Sequence, residues 1–193
     1  DVMAESPKVA RHMHLPVQHG DNEMLRRMNR GYTIEHFEEM VDYVREKMPD
    51  IVLTTDLITG FPGETEEMHR KTLELLKKVR FDSAYTFIYS PRKGTPAASM
   101  DNQIPDDIKH RRLNEIMEVQ NQISLEINKE QEGKTVEILV EGPTRQDENH
   151  WFGRTSGNKM VVFPKCENVA VGDLVMARIE TAQTWLFKGE LVR

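Results

Sequence analysis

A chain of 193 residues has room for one large domain or two small ones. Hydrophobic residues make up 38% and charged residues 30%, the balance of a soluble globular protein, and no apolar run is long enough to span a bilayer. The net charge of −6 excludes a bulk attraction to nucleic acid, so an RNA site has to be a local patch. The charge is uneven: residues 1–132 hold 18 basic and 24 acidic side chains, residues 133–193 hold 8 of each.

The first residues, DVMAESPKVA, lack the charged start and apolar core of a signal peptide and contain no initiator Met, which suggests a start inside a domain. Cys166 is the one cysteine, so no internal disulfide can form, in keeping with a reducing cytoplasm. One thiol also cannot hold an iron–sulfur cluster, which needs three or four.

In chain order, HLPVQ (14–18) has the apolar character of a buried strand. DNEMLRRMNRG follows as a short helix with Met24, Leu25 and Met28 on one face and Gly31 as its stop. Thr33 caps a longer helix whose stripe of Ile34, Phe37, Met40, Val41, Val44 and Met48 keeps a period near 3.6, and Pro49 ends it. IVLTTDLI (51–58) is a β-branched strand broken by GFPG. Thr65 starts another helix with Met68, Leu75, Leu76 and Val79 inward, and AYTFIYS (84–90) is a third strand. Such alternation predicts βαβ units with parallel pairing.

Pro105 opens a helix to about residue 130, its inner side marked by Leu113, Ile116, Met117, Gln120, Ile123 and Ile127. The pattern then changes. TVEILVE, HWFGRT, KMVVF, LVMARIE and TWLFKGELV are five short strands within about sixty residues, which predicts a small antiparallel barrel of the OB kind. The expected domains are therefore 1–130 and 131–193.

Three stretches offer chemistry. In TDLITGFPGET (55–65) a carboxylate, Asp56, lies in an otherwise apolar strand, followed by a turn and a helix start. In an α/β barrel that end of the strand binds ligands, backbone N–H groups at the turn can meet a polar ligand, and an Asp suits a ribose diol. A purely structural capping role for Asp56 fits the spacing equally well. In the second stretch, 14–33, Gln18 ends a strand and Arg30 follows a helix; composition alone makes both ordinary surface residues. His12, His14 and His19 do not have the spacing of a zinc motif, and no metal site is expected. In the third, Arg145, Trp151, Arg154, Lys159, Phe163 and Trp185 interleave basic and aromatic side chains, as in small barrels that bind single-stranded RNA. Trp185 and Phe163, flanked by apolar residues, are expected in the core, and Arg154 and Lys159 are the better contacts.

The blocks HLPVQ, MNRGYT, TTDLITGFPGET, VRFDSAYTFIYSPRKGTPAA, QNQISLEIN, GKTVEILVEGP, GRTSGNK and AQTWLFKGELV cover most of the chain in order. Together they resemble the MiaB family of radical-SAM methylthiotransferases. The resemblance implies an α/β fold: the C-terminal βα units of a partial TIM-like radical-SAM barrel, followed by a TRAM barrel. It implies addition of a methylthio group to C2 of an N6-isopentenyl adenosine 3′ of the tRNA anticodon.

The implied cofactors are S-adenosyl-L-methionine and two 4Fe–4S clusters in the full-length enzyme. The implied partners are the anticodon stem-loop of tRNA and the N-terminal portion of the same enzyme. By position, Gln18 and Asp56 correspond to ribose-binding residues, Arg30 to the residue on the methionyl carboxylate, and Ile88, Tyr89 and Ser90 to the backbone along the adenine. GRTSGNK implies Arg154, Asn158 and Lys159 as RNA-binding residues, with Arg145 and Trp151 beside them. The cluster-binding CxxxCxxC loop is not in this sequence, so no catalytic or metal-ligating residue is assigned, and the chain is expected to be a piece of the enzyme, inactive alone. A ribosomal-protein aspartate methylthiotransferase and a non-catalytic RNA-binding module are the alternatives.

Overall fold

Strand β2 (Val52–Thr59) is the centre of a three-stranded sheet, between β1 (His12–His14) and β3 (Ser83–Ile88). The computed structural model describes residues 1–192; Arg193, the last residue of the expected second domain, lies outside the described residues. Helix α1 (Val2–Glu5) precedes β1, α2 (Asn22–Arg27) and α3 (Ile34–Lys47) lie between β1 and β2, and α4 (Glu66–Val79) joins β2 to β3. Helix α5 (Asp106–Lys129) leads to the strands β4 (Thr135–Pro143), β5 (His150–Thr155), β6 (Met160–Pro164), β7 (Leu174–Ala182) and β8 (Leu186–Leu191). Two compact units result: one made of Met13–Pro49 and Leu53–Ile123, the other of Asp1–His12, Asp50–Val52 and the chain from Ser124 onward.

In the first unit, β2 and β3 pair in parallel, Asp56 beside Tyr85 and Ile58 beside Phe87. Leu53, Thr55, Leu57 and Thr59 are buried on one face, and the core is completed by Phe37, Val41, Leu75, Leu76, Val79 and Phe81. The opposite face carries Asp56 and Ile58 and is open, with Tyr85 and Phe87 more than half exposed. Alternation with a period of two produces this division.

The helices start as the sequence predicts: the Thr33 and Thr65 side chains accept from the His36 and Met68 amides. Other details differ. The strand expected over HLPVQ is regular only at His12–His14, because Pro16 has no N–H for the ladder. The Thr55 hydroxyl substitutes for the backbone there, accepting from the Val17 amide at 3.0 Å and donating to the Leu15 carbonyl at 2.6 Å. Helix α2 ends at Arg27 with Met28 as its cap, and Asn29, not Gly31, takes the left-handed position after it at φ +58°, with the Arg30 amide reaching back to the Leu25 carbonyl. On α5 Met117 is exposed rather than inward. The buried stripe instead runs through Lys109, Arg112, Ile116, Gln120, Ile123, Ser124 and Asn128, so steps of three or four residues, about one turn each, keep these on one face, and Met117, next to Ile116 in sequence, falls on the solvent side.

Polar side chains can occupy that stripe because they find partners. Arg112 donates to a Glu64 carboxylate oxygen at 2.9 Å and to the Glu64 carbonyl at 3.0 Å. The same carboxylate accepts from the Gly60 amide at 2.6 Å, from His19 Nε2 at 2.9 Å and from the Thr59 hydroxyl at 3.3 Å. His19 Nδ1 accepts from the Asp21 amide at 3.1 Å, so the ring proton sits on Nε2, toward Glu64. One carboxylate therefore joins the residue after Gln18, the turn after β2 and helix α5.

In the second unit, the five strands close into a barrel in the order β4-β5-β6-β8-β7. All neighbours are antiparallel except β6 and β8, which pair in parallel. The core is Ile138, Val140, Val161, Phe163, Ala177, Ile179, Ala182 and Phe187, with Trp151 partly buried against it. Gly153 faces inward, where a Cβ would lie 2.6 Å from the Leu139 carbonyl oxygen. Phe163 is core, as expected, but Trp185 is not: it is 64% exposed. The Gln183 amide closes a turn on the Leu186 carbonyl, so β8 begins after Trp185 and the inward alternation starts with Phe187. Phe163→Ala should therefore cost about 3–5 kcal/mol in denaturant unfolding, and Trp185→Ala should stay within about 0.5 kcal/mol of the parent. A Trp185→Ala loss as large as that of Phe163→Ala would contradict this arrangement.

Candidate functional site

In the first unit, the C-terminal ends of the strands bring Gln18, Asp56 and Tyr89 into one hydrogen-bonded frame. The Gln18 amide donates to the Asp56 carbonyl, and the Gln18 carbonyl accepts from the Ile58 amide, both at 2.8 Å. Gln18 is buried and holds φ +69°, an uncommon conformation for a residue with a Cβ. Backbone strain of this kind costs on the order of 1–3 kcal/mol and concentrates at functional positions. The Asp56 carboxylate, on the open sheet face, lies 3.3 Å from His14 Nε2, and the His14 ring meets Tyr85 edge-on.

Arg30 is exposed. Its charge is felt at Tyr32, whose hydroxyl donates to the Pro16 and Val17 carbonyls directly before Gln18. Burial raises the Tyr32 pKa, and Arg30 offsets part of that rise. Ile88 pairs with Thr59, and the Tyr89 amide extends the ladder to the Thr59 carbonyl at 2.9 Å. The Tyr89 ring packs edge-on to Phe61 at 5.0 Å, and its buried hydroxyl has no hydrogen-bond partner among the described residues. Ser90 follows, exposed.

The two glycine N–H groups of the GFPG turn are not free for a ligand, although the sequence suggests they would be. The Gly60 amide is taken by Glu64 and the Gly63 amide by the Asn102 carbonyl. Gly60 and Gly63 both adopt positive φ, so the turn is built for shape. Sequence reasoning missed His14, Tyr32 and Glu64; each acts through a partner 16 to 45 residues away, which no local pattern reveals.

On the barrel, an open groove of about 880 Å³ crosses the outer faces of β5, β6 and β8 and the loop after β4. Phe152, Val162 and Leu186 line it together with Arg145, Arg154 and Lys188. The carboxylates of Glu141, Asp147, Glu180 and Glu190 also border it. Arg154 pairs with Glu141 at 3.2 Å and donates to the Asn158 side-chain oxygen at 3.2 Å. Asn158 takes φ +63° in the turn between β5 and β6. The Lys159 ammonium does not join Arg154; it donates to the Asn128 side-chain oxygen at 2.9 Å. Trp151 points to the core side of β5, with the Lys165 ammonium 6.0 Å from its ring. The expected RNA residues thus divide: Arg145 and Arg154 share the groove, Asn158 shapes a turn, and Lys159 and Trp151 face elsewhere. Phe152 and Lys188 were legible as outward positions of alternating strands and were overlooked.

Comparison with known proteins bears on both units. A model of the radical SAM superfamily matches residues 1–76, and a TRAM domain model matches residues 129–192. A tRNA-2-methylthio-N(6)-dimethylallyladenosine synthase of Carboxydothermus hydrogenoformans is 50% identical over 192 residues, 100% of this chain and 43% of that protein. Proteins of the same name from Thermoanaerobacter sp. strain X514 and Moorella thermoacetica are 50% and 52% identical, over 98% and 96% of this chain and 40% and 41% of their own. The chain thus spans about two fifths of the length of these relatives. Coproporphyrinogen III oxidase from Escherichia coli, a radical SAM enzyme, shares the fold with a TM-score of 0.51 at 17% identity, over 76% of this chain and 41% of that one. The chain belongs to the radical SAM superfamily, carries a TRAM domain, and is similar along its whole length to proteins named tRNA-2-methylthio-N(6)-dimethylallyladenosine synthase.

Proposed function

We propose that this chain is the part of a tRNA methylthiotransferase that recognises the nucleoside of S-adenosyl-L-methionine and grips the tRNA. The whole enzyme would place a methylthio group on C2 of the isopentenyl adenosine 3′ of the anticodon, in the cytoplasm. The observation that carries the reading is Gln18, strained and hydrogen-bonded to Asp56, at the edge of an exposed sheet face. A carboxylate there suits two ribose hydroxyls, and the backbone from Ile88 to Ser90 borders the same strand ends. The unpartnered Tyr89 hydroxyl supports a polar ligand in this region. Arg30, near Tyr32, is the proposed partner of the methionyl carboxylate.

The residues present do not fit an iron–sulfur cluster. Cys166 is exposed, and no group of three or more His, Cys, Asp or Glu among the described residues could hold a metal ion. In the full enzyme, two 4Fe–4S clusters held by its N-terminal portion would supply the radical chemistry. The role of this chain is to orient the nucleoside and the RNA. No helix among the described residues is long and apolar enough to cross a membrane.

Two measurements test the reading. With millimolar S-adenosylhomocysteine, amide resonances of Gln18, Leu57, Thr59 and Tyr89 should shift, and Asp56→Ala should weaken the binding by about 1.5–3 kcal/mol, tenfold or more. Shifts elsewhere only, or none, would remove the nucleoside site. On the barrel, Arg154→Ala with Lys188→Ala should weaken binding of an anticodon stem-loop and lower its salt slope by up to about 1.4, about 0.7 for each lost phosphate contact. An unchanged slope would exclude both from the phosphate path.

A further inference from the structure

Among the described residues of the barrel unit, Trp185 is the one large aromatic side chain that stands mostly in water, and its setting is fixed. It occupies the β7–β8 turn, which the Gln183 amide closes on the Leu186 carbonyl at 2.8 Å. The two carbonyls before it, of Gln183 and Thr184, accept from the Asn128 side-chain amide at 2.8 and 3.0 Å. Asn128 is 1% exposed, and its oxygen accepts from the Lys159 ammonium. A buried carboxamide with all three of these bonds made cannot rotate without losing them, so the turn is rigid and the indole is held out from a firm base.

Gln183 and Leu186, on either side of the Thr184–Trp185 pair, line the groove that also holds Arg145, Arg154 and Lys188. A Trp with most of its surface in water adds nothing to the barrel core, and a planar ring on a fixed turn beside a groove is the geometry of a stacking platform. The groove's own charge is mixed, with Glu141 on Arg154 and three further carboxylates at its border. Phosphate attraction alone is therefore a weak source of affinity here, and contact with base faces has to supply more of it.

We infer that Trp185 stacks on an unpaired base of the RNA, and that Lys159 and Asn128 serve it by holding the turn. This rests on the proposed RNA-binding role of the barrel and assigns a contact to a residue that the sequence pattern places in the core. The ligand it calls for is RNA with an unstacked base, such as a stem-loop, and not a continuous duplex.

The test uses the 193-residue chain and three probes: a 17-nucleotide anticodon-type stem-loop, the same stem as a blunt duplex, and buffer of varied salt. The parent should bind the stem-loop with quenching of indole fluorescence and bind the duplex more weakly. Trp185→Ala should lose on the order of tenfold to a hundredfold in stem-loop affinity, with unchanged thermal unfolding, unchanged salt slope and unchanged duplex binding. Trp185→Phe should restore much of the affinity while the quenching stays lost. A parent that binds no stem-loop would overturn the RNA reading and this inference with it. A parent that binds with normal salt dependence, and a folded Trp185→Ala that binds equally well, would overturn the stacking role alone.

Discussion

The Glu64 carboxylate, almost wholly withdrawn from water, fixes the C-terminal end of the sheet. Burial by itself would raise its pKa; the His19, Gly60 and Arg112 donors outweigh that and hold it below the ordinary glutamate range. Its contribution to stability is therefore complete at neutral pH and is lost as pH falls through the lowered pKa. Such a buried charge is stable only while every partner stays in place. Because those partners belong to the residue after Gln18, the turn after β2 and helix α5, the strained Gln18 and the Gly60 turn are held in one geometry. Gln18 itself is tied to Asp56 and Ile58 by its own backbone hydrogen bonds, and the Glu64 group anchors the residue that follows it.

The barrel solves a similar problem with a different group. Its interior is filled by aliphatic and phenyl side chains that alternate along each strand, which leaves the outward positions of β5, β6 and β8 free to form a groove. Asn128, buried at the end of α5, does for the β7–β8 turn what Glu64 does for the Gly60 turn: a satisfied polar side chain fixes a loop that the sequence leaves unspecified. In both units the apolar core sets the layers, and a buried polar group sets the shape of a turn at the edge.

How much of this was legible follows from the range of each interaction. Helix starts at Thr33 and Thr65 were readable because the cap and its amide lie three residues apart. The five barrel strands were readable from alternation and turn residues. The stop of α2 was misread because Asn29, and not Gly31, takes the left-handed position after the helix. Trp185 was misread because parity with Phe187 places it inward, and only the Gln183–Leu186 turn interrupts that parity. The grouping of His19, Glu64 and Arg112 had no local sign at all, since 45 and 48 residues separate the partners. The likeness to methylthiotransferases pointed to Gln18, Asp56 and Arg154, but not to the residues that hold them.

Amide hydrogen exchange at Gly60 addresses the central claim most directly. Its N–H points into the Glu64 carboxylate at 2.6 Å from the turn that follows β2. If Glu64 fixes this end of the sheet, Gly60 should exchange as slowly as the buried β2 amide of Leu53, and Glu64→Gln should accelerate Gly60 while leaving the barrel amides at their parent rates. Rapid exchange of Gly60 in the parent protein, at the rate of an exposed loop, would contradict the account.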